Sequence, residues 1–184
     1  MKKPTGIPRL KYSKRDKAAL FEGGIGVPFI VRWPGRAAAN KVDDTSIISA
    51  VDLLPTFCEV AGATLPSSYK PDGVSQVAAL TGNGKPTRDK PLYWKMQSAW
   101  PARKSQPHHW VSYAIMDRQW KLVANKDSSY TELYDLVSDP YEKTDLKNSE
   151  PGVVDRLLAK LANWKSFKDR LSDYRNHRNS AQWL

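Results

Sequence analysis

Apolar residues in this chain come in short runs whose period changes, and the changes mark its elements. Residues 27–33, Val-Pro-Phe-Ile-Val-Arg-Trp, are nearly continuous in apolar character and are bounded by Gly26 and Pro34-Gly35. A run without alternation predicts a strand buried on both faces. Before it, residues 17–21 predict a short helical turn ending at Gly23-Gly24, with one of these glycines at positive φ. Asp52 stands where an N-cap would open a helix over 53–61, with Pro55 in its first turn and Gly62 as its stop. Ser75 is placed to cap a second short helix reaching Leu80, and Thr81-Gly82-Asn83-Gly84-Lys85-Pro86 reads as a boundary. Beyond it the runs 92–96, 111–116, 120–124 and 132–136 are aromatic and β-branched, and turn residues separate them. They predict an antiparallel meander. Ser149 and Pro151 then open a long helix. Its Val154, Leu157, Leu158, Leu161, Trp164 and Leu171 recur at helical spacing, which predicts one face packed on the sheet.

Composition narrows the class. A chain of 184 residues fits one large domain, or one domain with a small appendage. Seven Trp, eight Tyr and four Phe supply a core, while thirteen Pro and ten Gly point to a loop-rich protein rather than a bundle. The single cysteine, Cys58, excludes an internal disulfide and any multi-cysteine metal site. Its apolar helical surroundings read as a core position. No apolar run approaches the roughly 20 residues that span a bilayer, so no membrane partner is expected. The opening Met1-Lys2-Lys3-Pro4 is followed by no apolar segment and does not read as a signal peptide. The net charge of +10 raises the possibility of polyanion contact, yet it fits an enzyme for sulfated polymers or a surface of solvated lysines equally well. No nucleic-acid-binding motif accompanies the charge, and nucleic acid is not the expected partner.

Several segments, in order, resemble the second half of a sulfatase. Lys17 lies five residues before Glu22-Gly23-Gly24, and Phe21-Glu22-Gly23-Gly24-Ile25-Gly26-Val27-Pro28 is similar to that family's Glu-Gly-Gly turn and the strand after it. Val51-Asp52-Leu53-Leu54-Pro55-Thr56 resembles the following helix start, and Asp72-Gly73-Val74-Ser75 the next loop. Trp120-Lys121-Leu122-Val123, Glu132-Leu133-Tyr134-Asp135-Leu136 and Asp139-Pro140-Tyr141-Glu142 look like its C-terminal sheet and the turn beyond. The resemblance covers roughly residues 11–165 and is to sulfatases of the arylsulfatase and N-acetylgalactosamine-6-sulfatase kind.

It implies an α/β, alkaline-phosphatase-like architecture in two parts. Residues 1–82 would be the last strand and helices of a large mixed-sheet catalytic domain, and 83–184 a small antiparallel sheet packed on a long helix. The implied chemistry is hydrolysis of a sulfate ester, on a sulfated carbohydrate or an aryl sulfate, at a site with calcium and a formylglycine. The formylglycine is made from a Cys/Ser-x-Pro-x-Arg motif that this sequence lacks. Lys17 would contact the sulfate, where a fixed cation offsets charge spreading over its oxygens. The family commonly has Arg where this chain has Gly26, which removes one cation beside the turn. Glu22, Gly23 and Gly24 are expected to be structural, with Glu22 bracing the turn through hydrogen bonds. The family also implies a periplasmic, secreted or lysosomal parent.

Other candidates carry less. Asp43-Asp44 is the one tempting pair for calcium, but it falls after the strand, out of family order, and reads as a solvated loop. Trp100, Arg103, His108 and His109 share a loop that could meet a sulfated sugar through stacking and positive charge. Adjacent histidines on a strand diverge and do not readily share one ion. Taken alone, the chain is expected to be inactive. The alternatives are a basic polyanion-binding module, a phosphoester hydrolase of the same superfamily, or a fragment that self-associates through an exposed strand.

Overall fold

The structure, a computed structural model, describes residues 19–96 and 111–180. A four-stranded sheet in the order β1-β2-β3-β4 organises its larger part, with β1 at Leu92–Lys95, β2 at Tyr113–Asp117, β3 at Trp120–Ala124 and β4 at Thr131–Asp135. Strands β2 and β3 pair antiparallel with Asp117 opposite Trp120, so the turn between them has only two residues. Arg118 enters that turn at φ 59°, the left-handed conformation that a tight hairpin matched to strand twist requires. The β3–β4 pairing runs from Trp120 opposite Asp135 to Ala124 opposite Thr131.

Alternation along the strands gives the sheet two different apolar faces. Tyr113, Ile115, Leu122, Ala124 and Leu133 meet Leu157 and Leu161 of the helix α4, Pro151–Ser180. Val154, Leu158 and Trp164 extend the contact, and Trp164 stacks on Tyr93 with ring centroids 5.0 Å apart. Leu171 lies outside the residues whose side chains are described. Asp117 pins the helix from the end of β2, receiving Arg156 at 2.5 Å and Lys160 at 2.7 Å. Partial burial pushes the Asp117 carboxyl up, but hydrogen bonds and charge from Lys160 and Arg156 outweigh it and hold the group below its ordinary 3.8.

The opposite face carries Ala114, Val123 and Tyr134, and against it lie Ala19, Leu20 and Phe21. Phe21 meets Tyr134 edge to face at 6.3 Å. The helical turn α1, Glu22–Ile25, follows directly. The sequence pattern puts a turn ahead of the two glycines, whereas the structure puts the glycines inside it, and neither has positive φ. Gly24 is required for a different reason: a Cβ there would lie 2.1 Å from the Ala19 carbonyl oxygen.

The chain divides into two compact units, Met1–Gly26 with Tyr93–Leu184, and Val27–Leu92. In the second, a 3-10 turn at Ala50–Asp52 leads into α2, Leu53–Ala61, which Gly62 ends in the left-handed conformation. A short α3, Val77–Thr81, follows a Gln76 N-cap, one residue later than the Ser75 cap expected from sequence. Asp52 does precede α2, but its side chain caps the earlier turn, accepting the Ser49 N–H at 2.8 Å. The same carboxylate accepts the Val74 N–H at 2.9 Å and Arg88 Nη2 at 2.5 Å, and it is wholly buried. Thr56 continues the network, donating to the Asp52 carbonyl and accepting the Gln76 N–H.

Residues 27–33 correct the strand expectation. They carry no strand, and Val27 and Ile30 are 79% and 83% exposed. A strand exists through its neighbours' hydrogen bonds, and no neighbour pairs with this segment among the described residues. Cys58 is a free, half-buried thiol rather than a core residue.

Candidate functional site

The described residues build one closed network of charge, and it surrounds the Glu-Gly-Gly turn. Lys121 lies on β3, on the face opposite α4, because its neighbours Leu122 and Trp120 turn toward the helix. Its side chain is fully buried, and its ammonium meets Glu22 Oε1 at 2.6 Å and Glu142 Oε1 at 2.9 Å. The other oxygen of Glu142, Oε2, accepts the backbone N–H of Glu22 at 2.8 Å. Glu22 is therefore held twice, by its side chain through Lys121 and by its backbone through Glu142. Gly26 N–H then closes the turn on the Glu22 carbonyl at 2.8 Å, and a Cβ on Gly26 would stand 2.7 Å from that oxygen.

Glu142 is brought there by the turn after β4. Asp139 Oδ2 accepts the N–H groups of Lys143 and Thr144, which folds the loop back, and Glu142 sits within it at φ 53°. Left-handed backbone at a non-glycine residue is uncommon and costs free energy. Burial pushes the Glu142 carboxyl above its ordinary 4.5, and the nearby Glu22 charge pushes the same way; Lys121 and the Glu22 N–H oppose them. Sequence reasoning about Glu22 names neither partner. The signal for Lys121 is a lysine inside the apolar run Trp120-Lys121-Leu122-Val123-Ala124. Nothing in the sequence pairs it with Glu142.

Lys17, Trp100, Arg103, His108 and His109 lie outside the described residues. Glu22, Gly23 and Gly24 lie together in α1. Asp43 is committed to its own loop: its Oδ1 accepts from the Thr45 N–H, the Thr45 hydroxyl and the Ser46 N–H. The side-chain bond to Ser46, with the bonds to Thr45, holds its carboxyl far below the usual range. Among the described residues no group of three His, Cys, Asp or Glu side chains could hold a metal ion. The described residues thus do not fit calcium, and no step through it is assigned to them. Among the same residues no helix is long and apolar enough to cross a membrane.

Comparison with known proteins supplies the family. The model for N-sulphoglucosamine sulphohydrolase, C-terminal, matches residues 11–166. The chain is 33% identical over 139 residues to a sulfatase of Formosa agariphila, covering 73% of this chain and 25% of that protein. It is 26% identical over 177 residues to an N-acetylgalactosamine-6-O-sulfatase of Bacteroides thetaiotaomicron, covering 89% of this chain and 31% of that one. Among solved structures, Ps i-CgsB aligns at a TM-score of 0.54 with 28% identity, over 72% of this chain and 27% of its own. A protein from glycosaminoglycan metabolism in Bacteroides thetaiotaomicron aligns at 0.59 with 24% identity, over 82% and 31%, a likeness of fold. The chain thus spans between 25% and 31% of the length of these two curated relatives. With the family match covering most of the residues, and the meander and long helix in place, the chain belongs to the sulfatases, a family of sulfuric ester hydrolases with an alkaline-phosphatase-like fold, and corresponds to their C-terminal region.

Proposed function

We propose that this chain is the C-terminal part of a sulfatase that hydrolyses a sulfate ester on a sulfated sugar or an aryl sulfate. The observation that carries the reading is the family match over residues 11–166, which includes Lys17 and the Glu22-Gly23-Gly24 turn. In this reading residues 1–82 end the catalytic domain and 83–184 form the C-terminal subdomain. Lys17 contacts the sulfate, placing a compact positive charge where the ester oxygens gain negative charge. Trp100, Arg103, His108 and His109 are proposed to meet the sugar.

Calcium would supply electrostatic stabilisation and formylglycine the nucleophile. In this reading both are held elsewhere in the intact enzyme. Two named likenesses support a sugar substrate: one relative is an N-acetylgalactosamine-6-O-sulfatase, and Ps i-CgsB has been solved in complex with k-i-k-neocarrahexaose. A parent exported to the periplasm, the cell exterior or the lysosome fits the same reading.

Aryl sulfate turnover, followed with and without calcium, tests this. The 184-residue polypeptide should show none, and the intact protein should show turnover that Lys17→Ala abolishes. Calcium-dependent turnover by the short chain, or full activity of the intact Lys17→Ala protein, overturns the reading.

A further inference from the structure

We propose that Lys121 and Glu142 are positioning residues for the reaction. They hold the Glu22 turn in one orientation, and with it the chain that follows Lys17. The inference rests on the sulfatase reading for its catalytic consequence, and on geometry alone for the anchoring.

Two kinds of contact fix residues 19–25 to the sheet, and they do different work. Burial of Ala19, Leu20 and Phe21 against Val123 and Tyr134 draws the segment onto the sheet. Apolar burial is non-directional, so it sets distance far better than rotation. The charges supply direction. Starting at the Glu22 N–H, a hydrogen bond runs to Glu142 Oε2, the other oxygen Oε1 ion-pairs with Lys121 Nζ at 2.9 Å, and Lys121 donates back to Glu22 Oε1 at 2.6 Å. A ring that grips one residue by backbone and side chain leaves its local dihedrals little freedom. An apolar replacement of the buried pair would often be as stable, so stability alone is a poor reason for ions here. Glu142 also sits at φ 53°, a strained backbone that persists where surrounding structure demands it. Gly24 adds the last constraint, since its missing side chain lets the Ala19 carbonyl approach the turn.

The consequence follows from chain connectivity. Lys17 precedes Ala19 by two residues in the sequence, so the anchored segment is covalently close to it. Displacing a reacting group by about 1 Å can cost about 10²-fold in rate.

The test compares Glu142→Gln, Lys121→Met and Glu22→Gln in the intact protein, with Lys17→Ala as reference. Glu22 is the most exposed of the three partners, so Glu22→Gln remains informative if either buried variant fails to fold. We expect kcat for an aryl sulfate to fall about 10- to 100-fold while KM changes little. Hydrogen exchange on the 184-residue chain should show faster exchange confined to residues 19–26, with β2 and β3 still protected. Unchanged kcat in a folded variant, or protection lost evenly across β2, β3 and β4, overturns the proposal. If Lys17→Ala keeps full activity, the sulfatase role of that lysine fails, and the exchange experiment still judges the anchor separately. If Lys17→Ala is inactive and all three network variants are fully active, only the positioning role fails.

Discussion

The two units of this chain hold themselves together by opposite means. In the sheet-bearing unit, both faces of β2 and β3 are covered by apolar side chains, and Ala114, Ile115, Leu122 and Val123 have no exposed surface. Its buried charged groups, among them Lys121 and Glu142, add to a core that hydrophobic burial already forms. In Val27–Leu92 the buried residues other than Leu92 at its end and Gly73 are polar: Asp52, Thr56 and Gln76 are buried, while Phe57, Leu54, Val60 and Ile30 face outward. There a single carboxylate gathers a 3-10 turn, a loop and Arg88. The contrast shows that one chain can contain a self-sufficient core beside a unit whose apolar residues are left uncovered. In the proposed sulfatase these outward residues belong to the catalytic domain.

Removing the hub should have the largest effect. Asp52→Ala leaves Arg88 without its counter-ion and two backbone donors unsatisfied, and should destabilise Val27–Leu92 by about 3–5 kcal/mol. Hydrogen exchange should show that unit opening while β2 and β3 stay protected; equal loss in both would erase the contrast. Next comes a cavity in the apolar core. Leu157→Ala, at a fully buried position under the sheet, should cost about 2–5 kcal/mol in denaturant unfolding of the sheet unit. A change below about 1 kcal/mol would mean that α4 packs less tightly than its burial implies.

The Asp117 clamp should matter less. Arg156 and Lys160 are 42% and 40% exposed, so solvent screens them and Asp117→Asn should cost only about 1 kcal/mol near neutral pH. Because the folded-state value of Asp117 lies below 3.8, its contribution is fully present above pH 3.8 and is lost as pH falls through the lower folded value. Acid unfolding of Asp117→Asn should accordingly lack that part of the drop. Glu142 has the reverse sign. Its folded value is raised above 4.5, so its own titration favours folding below 4.5, and that contribution is lost as pH rises through the folded value.

The smallest stability effects belong to the outward apolar residues. Ile30→Ser and Phe57→Ser should change stability by no more than about 0.5 kcal/mol. Both should reduce self-association measured by sedimentation. A large loss of stability would show that these side chains are packed after all.

Much of the fold was legible in the residues. The four strand-forming runs and the spacing of Leu157 and Leu161 are local patterns, and each lies within a residue or two of the observed element. Gly62 stopped α2 as its lack of a side chain predicts, at φ 64°. The reading failed where the outcome depended on distant chain. The run 27–33 has strand character, but a ladder needs partners that the run cannot specify. The two glycines after Glu22 suggested left-handed backbone, yet at Gly24 the constraint is a carbonyl five residues back that happens to pass close by.

The amino-acid sequence by itself determined the meander, the long amphipathic helix, the family resemblance and the prominence of Lys17 and the Glu-Gly-Gly turn, because periodicity and short motifs are properties of neighbours along the chain. Tertiary structure alone decided that Glu22 meets Lys121 and Glu142, 99 and 120 residues away. It alone turned Asp52 from a helix cap into a buried hub. Both outcomes depend on which charged groups share a water-excluded space, and only the folded chain defines that space.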